Sequence, residues 1–199
     1  MLCDAIDRLS QPDGTSSYLR LSTRPIDQAP FAAALERLGE DELRRQVLAG
    51  GYRLSETDPD DRPSVTIVTT GVMAPEALAA AAALDDEGVA VTVVHLTSPD
   101  RIYRDWRAQF TAATSAARAP SGAVELDRLI PSDERNRPIV SVHDAASHSL
   151  AWLGSAVGTR QYTLGVDRFG ESGTIDDLYE LTGIDVGSIV NTALLAISD

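Results

Sequence analysis

From Ser64 onward, runs of β-branched and apolar residues alternate with helix-spaced runs, and this alternation limits the possible fold more than any other feature. Val65–Thr70, Val89–Leu96, Ile139–His143 and Tyr162–Val166 read as strands. Between them, Pro75 opens a helix to about Asp86 that Gly88 ends, and Pro99 or Asp100 opens a long one through Tyr103, Trp106 and Phe110. Pro120–Pro131 reads as a loop with a short element, and Ser147–Val157 as a helix. Thr174 caps a helix over Ile175–Leu181, with Asp176 and Asp177 in its first turn, and Asp185 caps a last one to about Ile197. Apolar strands joined by helices need cover on both sides. The expected fold is α/β: three layers, a mostly parallel sheet with helices on both faces.

The first 63 residues lack this regularity. Met1–Leu9 has apolar residues at helix spacing, Gln11-Pro12-Asp13-Gly14 is a turn, and Ser17–Ser22 alternates like a strand. One helix and one strand cannot bury their own faces, so residues 1–28 read as the tail of a preceding domain. Residues 29–62 read as a connector, with short helices at Phe31–Leu38 and Asp41–Leu48, a break at Gly50-Gly51 and a short strand at Tyr52–Leu54. Asp58-Pro59-Asp60-Asp61 lacks EF-hand spacing and reads as a solvated loop. Residues 63–199 hold the sheet.

Charge and residue usage exclude several functions. The net charge is −13, so a phosphate backbone would be repelled and no nucleic-acid partner is expected. All 17 basic residues are arginine, which excludes a lysine Schiff base and a P-loop lysine. The single cysteine, Cys3, excludes an internal disulfide and a cysteine-cluster metal site and suits a cytoplasmic setting. No apolar run approaches the ~20 residues of a membrane helix, and Met1-Leu2-Cys3-Asp4 does not begin a secretory signal, so no membrane partner is expected.

Few motifs carry chemistry. Thr70-Gly71 gives one glycine where a dinucleotide fingerprint needs three, and Gly154-Ser155-Ala156-Val157-Gly158 lacks the glycine of a nucleophile elbow. His95 lies inside a strand and reads as a packed residue. His143, Asp144 and His148 flank a strand-to-helix turn, beyond the carboxyl end of a strand, where parallel sheets bind ligands. A histidine there can carry a proton near neutral pH. The competing arrangement has Asp144 or Ser147 capping the helix and both histidines on the surface. Asp167-Arg168-Phe169-Gly170-Glu171-Ser172-Gly173 follows the next strand; Arg168 there is a candidate to grip a carboxylate, or the stretch is a plain turn.

Two sets of residues resemble one enzyme superfamily. Ala5-Ile6-Asp7-Arg8, Asp13-Gly14-Thr15 and Tyr18–Arg24 resemble the end of the pyrimidine-binding domain of transketolase-like enzymes. Gly50–Leu54, Thr69-Thr70-Gly71 and Phe169-Gly170-Glu171-Ser172 resemble their C-terminal domain. Within the superfamily, Leu96-Thr97-Ser98 and Gly165–Gly170 are more similar to the homodimer-type pyruvate dehydrogenase component. The resemblance implies a longer, three-domain parent that uses thiamine diphosphate and magnesium. The Gly-Asp-Gly metal motif is absent from this chain, and the glutamate that activates the pyrimidine ring would lie upstream of Met1, so no cofactor is expected to bind this chain alone.

The implied function is that of a pyruvate dehydrogenase C-terminal part. It would support dimer assembly and the active-site rim, with a dihydrolipoyl acyltransferase core as partner and acetyl transfer to lipoyl groups as outcome. The alternatives are a transketolase moving two-carbon ketol units between sugar phosphates, and a non-catalytic interaction or anion-binding module. In transketolases an arginine after the matching strand grips sugar phosphate. Arg24 is the nearest match, with Thr23 one residue extra. His143 stands where the family has an acidic or small residue, so no family role passes to it.

Overall fold

The computed structural model describes residues 1–118 and 124–198. In chain order the elements are α1 (Leu2–Leu9), α2 (Ala29–Leu38), α3 (Glu40–Ala49), β1 (Gly51–Glu56), β2 (Ser64–Thr70), α4 (Ala74–Asp86), β3 (Ala90–Leu96), α5 (Pro99–Ser115), α6 (Glu125–Leu129), β4 (Ile139–Val142), α7 (Trp152–Val157), β5 (Gln161–Leu164), α8 (Ile175–Thr182) and α9 (Val186–Ser198). The expected loop at Pro120–Pro131 lies partly outside the described residues; its described part holds α6.

The sheet has five strands in the order β1-β3-β2-β4-β5. β2, β3, β4 and β5 run parallel, and β1 closes one edge antiparallel to β3. Alternate side chains of the central strands bury in opposite layers. Val65, Ile67, Val91, Val93, Val140 and Val142 pack with α4 and α9, and α2 and α3 cover β1 on that side through Ala34 and Leu43. Val68, Val94, Leu96 and Ile139 pack on the other side with Ile102 of α5, Leu126 and Leu129 of α6, and Leu153 of α7. This is the three-layer, mostly parallel arrangement that the sequence predicts.

Three local expectations change. Ser17–Ser22 is not a strand: it finds no neighbour to pair with, and Tyr18 and Leu21 stay exposed. Ser147–Val157 is not one helix. Ser147–Leu150 forms a 3₁₀ turn in which the N–H groups of Ser149 and Ala151 donate to Ala146 and His148, and α7 starts only at Trp152. The turn is pinned from outside by Asp167, whose Oδ1 accepts from the Ser147 N–H at 2.8 Å. The short strand at Tyr52–Leu54 is a full edge strand of six residues.

The apolar stretch Ile175–Ser198 is long enough on paper to cross a membrane. It is two helices of 8 and 13 residues instead. Gly183 takes a left-handed φ of 68° between them, and the Asp185 carboxylate caps α9 by accepting from the Ser188 N–H. Each helix falls short of the ~20 residues of a span, and α9 lays Ile189, Ala193 and Ala196 on the sheet.

Candidate functional site

Beyond the carboxyl ends of β2, β3 and β4 the structure opens a cleft of about 930 Å³. Its floor is built by the strand ends, with Thr70-Gly71, His95 and His143-Asp144. Residues 15–24 run over it, and Tyr179 of α8 and the start of α5 close its sides. Gly71 makes the floor possible: φ is 61°, a left-handed turn that carries the chain from β2 towards α4, and only a glycine enters it without strain.

Two ion pairs fasten residues 15–24 across the cleft. Arg20 donates bidentately to Asp144, Nη1 to Oδ1 at 2.8 Å and Nη2 to Oδ2 at 2.7 Å. Arg24 Nη1 donates to Glu76 Oε1 at 2.7 Å. Asp144 and Glu76 are the buried halves of these pairs, their side chains 18% and 10% exposed. Glu76 sits in the first turn of α4, where a negative charge also suits the helix dipole. Its second oxygen, Oε2, is buried without a hydrogen-bond partner in the protein.

Both histidines of the floor are held neutral. Burial lowers the His143 pKa, Arg20 lowers it further and Asp144 opposes them. Its Nε2 lies 3.8 Å from Asp144 Oδ1, and its Nδ1 is buried and unpartnered. Burial pushes His95 down to about 4. Its ring lies against Tyr52, centroids 5.6 Å apart, and its Nδ1 is also unpartnered. Burial in turn pushes the Tyr52 hydroxyl up to about 12.

A folding prediction follows from His95. An unfolded histidine titrates near 6.5, so between pH 6.5 and 4 the unfolded chain binds a proton that the folded chain refuses. Stability from this group is whole above pH 6.5 and falls as the pH drops towards 4, by roughly 3 kcal/mol in all. Urea unfolding at pH 7 and pH 4.5 should therefore show a smaller loss on acidification for His95→Gln than for the unmodified chain. Equal losses would mean that His95 is solvated in the folded state.

The sequence-derived candidates divide. Arg24, His143 and Asp144 line the cleft. His148 is exposed on the 3₁₀ turn, and Arg168 is exposed with Nη1 3.5 Å from the Leu181 carbonyl; neither lines the cleft. The sequence reading left out Arg20, Glu76 and Tyr179 and gave His95 a packing role alone. Arg20 was hidden in the false strand; Glu76, five residues after Gly71 in a strand-to-helix turn, was the one legible signal. Among the described residues no group of three or more His, Cys, Asp or Glu side chains is placed to hold a metal ion.

The cleft's chemistry is that of a polar, arginine-rimmed site. Arg20, Arg24, Arg101 and Arg104 line it, each with a carboxylate at hand in Asp144, Glu76, Asp4 and Asp100. Such guanidiniums can bind a phosphate while the carboxylates hold them in place. Two neutral imidazoles beside them offer hydrogen bonds without adding charge.

Comparison with known proteins gives a consistent picture. Residues 50–185 match the family described as the transketolase-like TK C-terminal domain. The chain is 28% identical over 185 residues to transketolase 2 of Vibrio vulnificus, covering 93% of this chain and 23% of the relative. It is 26% identical over 189 residues to the chloroplastic transketolase of Craterostigma plantagineum, covering 95% of this chain and 30% of the relative. The chain thus spans about a quarter of the length of the curated relatives it matches. In fold it is similar to transketolase from Campylobacter jejuni, with a TM-score of 0.53 and 22% identity over 74% of this chain and 18% of that one. Transketolase from Leishmania mexicana is similar to the same degree, with a TM-score of 0.53 and 23% identity over 77% of this chain and 19% of that one.

Proposed function

The chain belongs to the transketolase-like TK C-terminal domain family, and from that premise we propose that it is the carboxyl-terminal part of a transketolase that moves two-carbon ketol units between sugar phosphates. The observation that carries this reading is the match of 93% of the chain to a transketolase. It displaces the pyruvate dehydrogenase reading, because the relatives are transketolases. Oxidative decarboxylation, the lipoyl acceptor and the acyltransferase partner go with it. On this reading residues 1–28 end a preceding domain, and the C-terminal domain of a dimeric enzyme takes in β1 with the α2 and α3 that cover it, so the connector expected over 29–62 is in large part built into that domain.

Thiamine diphosphate, when bound to the parent, supplies the carbon nucleophile of ketol transfer. On this reading the diphosphate and its metal are held by the parent's other domains. This chain's own share is substrate binding at the rim. Arg24, steadied by Glu76, would take the sugar phosphate at the cleft mouth. Asp144 would hold Arg20 against the floor and keep residues 15–24 in place, and the neutral His143 would donate or accept a hydrogen bond from a sugar hydroxyl.

The test is an assay of the complex that this chain forms in its own cells, recovered through a tag on the chain. Ketol transfer from xylulose 5-phosphate is expected, and oxidation of pyruvate is not. Arg24→Leu should raise KM for the phosphorylated donor about thirtyfold, the loss of about 2 kcal/mol from one charge-assisted hydrogen bond, and leave transfer from an unphosphorylated donor nearly unchanged. Pyruvate oxidation without ketol transfer would overturn the reading, and so would an unchanged KM for Arg24→Leu in its assignment of that residue.

A further inference from the structure

We propose that a second site, at the opposite end of the sheet, binds the phosphate of a small phosphorylated metabolite. A cavity of about 510 Å³ opens there, at the amino ends of β2, β4 and β5. Arg62, Arg137 and Arg160 line it together with Ser64, Asn136 and Thr159. None of its described lining residues is acidic, in a chain with 30 acidic and 17 basic residues. Ala196 and Ile197 at the end of α9 give it an apolar wall.

Four backbone carbonyls that border this space are already taken, which leaves fewer acceptors to repel an anion. The carbonyls of Pro63, Pro138 and Arg160 accept from the N–H groups of Ala90, Thr66 and Ile139 in the strand ladder. The Arg137 carbonyl accepts from Thr159 Oγ1 at 3.0 Å. The guanidiniums are unequally compensated. Arg62 has Asp85 at 2.8 Å and the Asp58 carbonyl at 2.7 Å. Arg137 has a side chain only 14% exposed, yet its guanidinium contacts are long: Glu134 at 3.5 Å and Thr92 Oγ1 at 3.4 Å. Glu134 is already engaged by Arg53, bidentately at 2.9 and 3.0 Å.

Arg53 also has Glu56 at 2.6 Å, so it is Arg137 that is left with no carboxylate nearer than 3.5 Å among the described residues. A buried charge without a close counter-charge is unfavourable, and an anion in the cavity offsets it. Phosphate oxygens match the guanidinium fork, and the volume leaves room for a small organic body beyond the phosphate. β2, at seven residues and ~3.3 Å each, separates this cavity from the cleft by roughly 20 Å. A ligand here acts apart from the substrate, and the proposal stands independently of the transketolase reading.

The probe is inorganic pyrophosphate, added to the 199-residue chain with chloride at matched ionic strength as reference. Titration calorimetry should show saturable binding. Tm should rise by about 5 °C or more at a hundredfold excess over Kd. Arg137→Gln or Arg160→Gln should weaken binding at least tenfold, and Arg24→Gln, in the cleft, should leave it intact. Ser64→Asp gives a second test that removes no guanidinium. Its carboxylate among the arginines should abolish pyrophosphate binding and raise Tm without the anion. Absence of saturable binding overturns the proposal. Binding lost in Arg24→Gln but kept in Arg137→Gln places the anion in the cleft and overturns it as well. So does a Ser64→Asp variant that still binds pyrophosphate.

Discussion

Gly165→Ala is expected to destabilise the protein by about 3 kcal/mol, the upper part of the range for overpacking. The added Cβ would stand 2.6 Å from the Ala145 carbonyl oxygen and 2.6 Å from both N and Cα of Ser147. All three are backbone atoms, so no side chain can swing away. Nor can the turn they belong to retreat freely. It is tied to the segment that follows β5 by the Val166 N–H donating to the Ala145 carbonyl at 2.9 Å and by the Ser147–Asp167 bond. Relief requires moving residues 144–148, which carry Asp144 and adjoin His143 on the cleft floor. For a chain of this length the expected fall in Tm is about 6–12 °C, and Arg20 should lose its anchor on Asp144. Gly170→Ala is the matching control, because nothing lies within 4 Å of its added Cβ; it should shift Tm by no more than about 1 °C. Differential scanning calorimetry of both variants decides. A Gly165→Ala chain that melts with the unmodified one would show that this turn is free to move.

The same turn shows where sequence reading holds and where it stops. β2 and β3 are legible because they are buried on both faces, so their composition alone marks them. The 3₁₀ turn at Ser147–Leu150 is not, because its shape comes from Gly165 and Asp167, residues about 20 positions away. Ser17–Ser22 fails for the converse reason. Alternation describes a strand only where a neighbour supplies a ladder, and the order β1-β3-β2-β4-β5 leaves none beside it. In the cleft, His143 and Asp144 are legible from their place after a parallel strand. Arg20 and Glu76 are not, since each becomes informative only through a partner more than 50 residues distant. The superfamily is readable from short motifs spread along the chain. Choosing pyruvate dehydrogenase over transketolase rested on two short stretches, and the relatives favour the other choice.

Glu134→Gln tests the electrostatics on which the anion cavity depends, and it is expected to cost about 3 kcal/mol or more. Glu134 ends a 3₁₀ turn and its side chain is 11% exposed. Arg53, equally hidden at 14%, grips both its oxygens, and Arg137 stands 3.5 Å from one of them. The amide keeps the shape and one acceptor but removes the charge. Arg53 is then left with Glu56, which it shares with Arg37, and Glu56 does not reach Arg137. Removing one partner of a buried pair is far more harmful than removing the pair. The double variant Arg53→Met with Glu134→Leu should accordingly recover part of the loss, with Arg137 remaining as the unmatched charge. The two variants should also differ from the unmodified chain in their response to pyrophosphate. With its Glu134 carboxylate gone, Arg137 should draw the anion more strongly, so the gain in Tm on adding pyrophosphate should be larger for Glu134→Gln than for the unmodified chain. Urea unfolding with and without the anion measures both effects. If Glu134→Gln loses less than about 1 kcal/mol, as an exposed pair would, water reaches these arginines, and the imbalance of charge that favours an anion at the amino ends of the strands does not exist.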